Sequence, residues 1–149
     1  MIDGGLRRIF RENIPNAHWS AIETGGTGRG VPDDNVCLNG VETWLEYKHT
    51  DGWAVRIRPE QVAWSERRTR AGGRVLLLTR RRCTPGPRRP AADELWIHRA
   101  SDIRHVSLLG LRDGPRPLYK GEDGPSAWLW PVIEEIVFGP WSWLTPSEG

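Results

Sequence analysis

The dipeptide Asn39-Gly40 constrains this chain more than any other feature. It stands between two runs of alternating apolar and polar residues, Asp34–Leu38 and Val41–Lys48. A two-residue type I′ turn needs positive φ at both central positions, and Asn-Gly adopts it at little steric cost. A hairpin closed there pairs Leu38 with Val41 and sets Asp33 opposite Glu46. Strand alternation then sorts the side chains onto two faces. Val36, Leu38, Val41, Thr43, Leu45 and Tyr47, with Asp34 at the margin, form an apolar face expected to meet the core. Asp33, Asn35, Cys37, Glu42, Trp44, Glu46 and Lys48 form a polar face.

Like charges directly opposite one another on a sheet repel. Two acids standing in water would feel that repulsion weakly. A divalent cation between them would remove it, since hard ions such as Mg²⁺ take carboxylate oxygens, waters and phosphates as ligands. Lys48 projects to the same side as Glu46, where an ammonium can orient a water and stabilise charge on a phosphate. The register, the lysine and the preceding Gly30-Val31-Pro32 agree on the second reading.

The rest of the chain supplies a frame for that hairpin. Leu6–Asn13 reads as a short helix ended by Pro15, and residues 19–24 read as a first strand. The sequence Arg58-Pro59-Glu60 opens a helix, with Pro59 at its first position, and Gly72-Gly73 closes it. Arg74–Thr79 is a continuous apolar run suited to a buried strand, which makes a βαβ unit with the strand before the helix. Arg80–Ala92 is rich in Arg and Pro and reads as an exposed loop. Glu94–His98 reads as a strand, and residues 100–102 as a turn or short helix. Residues 110–124 carry no clear period, and Ala127–Val137 reads as a helix interrupted by Pro131.

A length of 149 residues fits one domain. There is no long apolar run and no leader-like N-terminus, and Cys37 and Cys83 match no zinc spacing, so a reducing cytoplasm is expected. The net charge of +2 is unevenly spread: eleven arginines stand against Glu60 and Glu66 between Arg56 and Arg89, while the remainder carries ten basic and seventeen acidic residues. An arginine block beside an acidic site suits a phosphate-backbone binder, although arginine-rich surfaces also occur without one. Gly25–Gly30 lacks the Lys-Ser/Thr of a nucleotide-phosphate loop and leads into Pro32-Asp33, not into a helix. It reads as a loop permitting close approach of a phosphate backbone, with Arg29 as a phosphate contact. Most of the nine tryptophans, Trp44 aside, are expected in the core or an interface.

Pro32-Asp33, Glu46-Tyr47-Lys48 and Gln61 together resemble the PD-(D/E)xK nuclease superfamily. The likeness is to the VRR-NUC and phage Holliday-junction-resolvase-like branches, with G-x-P-D, a short hairpin, E-x-K and a glutamine early in the next helix. It covers residues 7–80, and nothing is carried over to the extension 81–149. It implies an α/β fold of the restriction-endonuclease type, a mixed central β-sheet flanked by helices in the order αβββαβ.

The resemblance further implies metal-dependent hydrolysis of DNA phosphodiester bonds. Asp33, Glu46 and the Tyr47 carbonyl would hold Mg²⁺ or Mn²⁺, Lys48 would position the attacking water, and Gln61 would bond near the scissile phosphate or to Lys48. An upstream acid often joins such sites; Glu23 is favoured over Glu12, whose simpler reading is an exposed helix acid beside Arg8 and Arg11. Asp34 departs from the pattern, where an apolar residue is commoner, and the pairing argument selects Asp33 over it. Arg67, Arg68, Arg70 and Arg80–Arg82 are candidate DNA-backbone contacts, not separable from one another in sequence. Branched DNA, a homodimer and a phage origin follow from the same likeness. The alternatives are a restriction or repair nuclease of this fold, or a DNA-binding module without activity.

Overall fold

The computed structural model describes residues 3–23 and 29–141. In chain order these form α1 (Leu6–Asn13), β1 (His18–Ala21), β2 (Asp34–Leu38), β3 (Val41–Thr50), α2 (Pro59–Arg70), β4 (Val75–Cys83), β5 (Ala92–Arg99), a 3₁₀ turn (Ala100–Asp102), α3 (Ile103–Leu109), β6 (Tyr119–Gly121) and α4 (Trp130–Phe138). The six strands make one mixed sheet in the order β1-β2-β3-β4-β5-β6, and β3 and β4 are its parallel pair. The chain is therefore a mixed α/β protein with helices flanking a central sheet.

The hairpin has the expected register. Leu38 pairs with Val41 and Asp34 with Leu45, and Asn39 and Gly40 carry φ of 53° and 80°. The alternation of β4 builds two cores at once. Leu76 and Leu78 join Leu6, Phe10, Leu45, Tyr47, Ile133 and Val137 under α1 and α4. Leu77 points the other way, joining Val62, Trp96, Ile103 and Val106 under α2 and α3. A strand buried on both faces needs an unbroken apolar run, which Val75–Leu78 supplies, and each such side chain contributes roughly 1.5–3 kcal/mol.

Three sequence expectations give way here. Arg80–Arg82 belong to β4, not to a loop, because the strand is continued by cross-strand charge pairs: Arg81 lies opposite Glu94 and Arg82 opposite Asp93. Helix α4 starts at Trp130, with Pro131 in its first turn, where the missing N–H has no intrahelical partner to lose. The aperiodic stretch after Gly110 holds β6, which pairs Leu95, Trp96 and Ile97 with Gly121, Lys120 and Tyr119. No helix among the described residues is long and apolar enough to cross a membrane.

Candidate acid-pair site

Asp33 lies one residue before β2, just past the last backbone pair of the hairpin. Its carboxylate does what a strand carbonyl would otherwise do: Oδ2 accepts the Tyr47 amide at 2.9 Å. Its carbonyl accepts from the Ile22 amide at 2.9 Å and the Arg7 guanidinium at 3.0 Å. Asp33 is thereby held on the strand that carries Glu46 and Lys48.

Asp34 points to the opposite face, and the structure separates the two aspartates cleanly. It is fully buried. Its Oδ2 accepts the Tyr47 hydroxyl at 2.7 Å, while Oδ1 accepts Arg11 at 3.0 Å and lies 3.3 Å from Arg7. This charge cluster ties α1 to the sheet. Burial and the neighbouring Asp34 charge push the Tyr47 hydroxyl well above its ordinary range, so it remains a donor.

Glu46 sits in the middle of β3 with 3% of its surface exposed. Gln61, from the first turn of α2, donates through Nε2 to Glu46 Oε1 at 2.7 Å. The Gln61 Oε1 atom accepts both the Lys48 ammonium at 2.8 Å and the Arg58 amide at 2.9 Å. Two donors converging on one oxygen fix which way the amide faces. Gln61 is at once the residue that caps the helix start and the bridge between Glu46 and Lys48. The Lys48 Nζ atom lies 3.5 Å from Glu46 Oε1.

A glycine sets the spacing of loop and helix. Gly30 has φ of 82°, and a Cβ built there would fall 2.0 Å from the Glu60 carbonyl oxygen. Only glycine tolerates both that backbone and that contact. The segment leading to Asp33 is thus pressed against the turn that presents Gln61.

The electrostatics follow from burial. Desolvation raises the Glu46 pKa to about 8, helped by the Asp33 charge and opposed by Lys48 and Arg58. Desolvation also raises Asp33, against the Tyr47 amide and the Arg7 charge. Two carboxyls that resist ionisation together form a site that favours a bound cation or a shared proton. Glu46 Oε2 is buried with no hydrogen-bond partner. An unpartnered buried carboxylate oxygen, beside a second carboxylate, fits a hard divalent ion.

The remaining candidates divide. Glu12 is an exposed helix acid paired with Arg8 at 3.0 Å, and Glu23 is exposed at the end of the first strand region. Neither completes a trio: among the described residues no three His, Cys, Asp or Glu side chains stand together as a metal group. Arg80 and Arg81 are corrected as backbone contacts. Both are buried and engaged, Arg80 by Asp93 at 2.8 Å and the Gly4 carbonyl at 2.7 Å, Arg81 by Glu94 at 3.1 Å and the Gly52 carbonyl at 3.1 Å. Arg82, Arg29, Arg67, Arg68 and Arg70 are exposed. Residues 24–28 of the glycine-rich loop lie outside the described residues. Sequence reasoning missed Arg7 and Arg58, whose charges act on Asp33 and Glu46; neither lies near its acid in sequence, and no local pattern announces them.

No protein-family model matches this sequence, and no curated protein matches it either.

Proposed function

We propose that this chain is a metal-dependent DNA endonuclease of the PD-(D/E)xK type. The observation that carries the reading is the hydrogen-bonded chain Glu46–Gln61–Lys48 beside Asp33, with Glu46 Oε2 left unpartnered. The order helix, three strands, helix, strand over residues 6–83 supports it, as does the parallel placement of β3 and β4.

In this reading Asp33, Glu46 and the Tyr47 carbonyl would hold Mg²⁺ or Mn²⁺, and the bound ion would supply Lewis acidity for a water and a phosphoryl oxygen. Lys48 carries ammonium protons beyond the one given to Gln61, and these can orient the attacking water or neutralise a non-bridging oxygen. Gln61 keeps the lysine and the glutamate in register. Arg58, exposed at the helix start, adds positive charge at the rim. Branched DNA is the substrate to try first, cut by a pair of chains acting as a dimer, because symmetric cleavage of a junction needs two sites.

The test is incubation with four-way-junction, flap, nicked and linear DNA in Mg²⁺, Mn²⁺ or EDTA. Cleavage lost in EDTA and in Asp33→Ala and Lys48→Ala supports the reading. Intact DNA in every metal condition sinks it, and binding without cutting points to the inactive module instead.

A further inference from the structure

The polar face of β3 extends beyond the acid pair. Trp44 precedes Glu46 by two residues and projects to the same side, a shift of about 7 Å, or roughly two nucleotide rises along a B-form strand. Trp44 packs against Trp64 of α2, with ring centroids 5.2 Å apart and planes at 63°. The Arg68 guanidinium lies over both indoles, 5.1 Å from the centroid of Trp44 and 5.3 Å from that of Trp64. Its aliphatic stem is wedged by the chain beyond the helix: a Cβ on Gly73 would fall 2.7 Å from Arg68 Cγ. Among the described residues Arg68 is the one arginine of α2 that rests on an aromatic ring.

Its positive charge is open to solvent. Arg68 is exposed, and the two acids of α2 are engaged elsewhere, Glu66 by Arg104 at 2.6 Å and Glu60 near Arg58 at 3.8 Å. An arginine ordered in advance by stacking gives up less conformational freedom on binding a phosphate than a free surface arginine does. It stands seven residues after Gln61, about 10 Å further along the same helix.

We propose that Arg68, seated on Trp44 and Trp64, anchors a backbone phosphate of the DNA strand flanking the cleavage position. The strand then runs from the acid pair along β3 towards Trp44. The anchor rests on the nuclease reading for its substrate, and its own test is binding, not cleavage.

Affinity for fluorescent four-way-junction DNA is measured by anisotropy in EDTA across a salt series, for the native chain and for R68Q, R68K, R67Q and R70Q, each checked for an unchanged thermal midpoint. R68Q is expected to bind roughly tenfold more weakly and to lower the salt slope by about one. R68K retains charge without the planar stack and falls between. R67Q and R70Q, which lack the aromatic seat, lose less than R68Q. The anchor is overturned if R68Q binds no more weakly than R67Q and R70Q, or if it lowers the thermal midpoint and leaves affinity intact. A native chain that binds DNA but never cuts it would sink the nuclease reading while leaving the R68Q result to stand on its own. A native chain that binds no DNA would sink both.

Discussion

Gln61 donates to Glu46 across 2.7 Å, from the first turn of one helix to the middle of a strand fifteen residues earlier. The same amide accepts from Lys48 and from the helix's own N-terminal backbone. A residue that bonds two side chains of β3 and the start of its own helix has two separable duties, and substitutions can tell them apart.

Gln61→Glu keeps a capping acceptor but sets a carboxylate against the buried Glu46. The helix should remain, with a thermal midpoint close to native in acid, while one of the two acids is pushed further up. Gln61→Ala loses the cap and the bridge, costing about 1 kcal/mol or more of stability. Circular dichroism melts at pH 5 and 8, beside DNA cleavage, would separate the effects. Native cleavage in both variants would show that the bridge has no part in the chemistry.

The two adjacent aspartates should respond in opposite ways. Asp34→Ala strands Arg7, Arg11 and the Tyr47 hydroxyl, so destabilisation of about 3–5 kcal/mol is expected. Asp33→Asn retains an oxygen for the Tyr47 amide and relieves repulsion on Glu46. It should leave the fold intact and abolish cleavage. Urea denaturation of both variants checks this; equal midpoints would contradict the division of labour.

Stability should fall as pH rises through the neutral range. Folded Glu46 titrates near pH 8, against 4.5 for an ordinary glutamate, so the native state holds more protons than the unfolded state between those values. The stabilisation present below pH 4.5 is therefore lost progressively up to about pH 8, on the order of a few kcal/mol. Asp33, also raised, acts in the same direction. Glu46→Gln should flatten the profile in chelator. A midpoint that climbs from pH 5 to 8 in the native chain would refute the assignment.

Metal binding should expel a proton for the same reason. At pH 7 Glu46 is mostly protonated, so Mn²⁺ must displace close to one proton, and apparent affinity should rise about tenfold per pH unit towards pH 8. Calorimetry in two buffers of unlike ionisation heat counts that proton. A binding heat independent of buffer would exclude Glu46 as a ligand, and Glu46→Gln should bind no metal.

Gly30→Ala should disturb the site without touching an acid. The added methyl meets the Glu60 carbonyl, and φ of 82° is unfavourable for any L side chain. Loss of 2 kcal/mol or more, with cleavage reduced further than stability alone accounts for, is the expected result. A native melt would mean that the loop can back away from α2.

What the sequence disclosed was what short-range chemistry decides. Asn39-Gly40 fixed a register, and that register alone separated Asp33 from Asp34 and aligned Glu46 with Lys48. Pro59 marked the start of α2. Arg80 and Arg81 were misread because their partners, Asp93 and Glu94, lie thirteen residues on across a hairpin, and a run of arginines looks solvated until those acids are in place. Arg7 was passed over for the same reason, since its acceptor is twenty-six residues away. Gln61 stood out in the sequence through the resemblance alone; its bond to the Arg58 amide and its union with Glu46 needed the folded chain.

That union has a kinetic corollary. A helix end ordinarily opens and closes on its own, far faster than the domain unfolds. Here the first turn of α2 cannot fray without releasing Lys48 and withdrawing the Gln61 amide from the Glu46 carboxylate. The amides of Gln61 and Val62, bonded to the Arg58 carbonyl, become a clock for the chemistry: their exchange rates time how often the assembled centre comes apart.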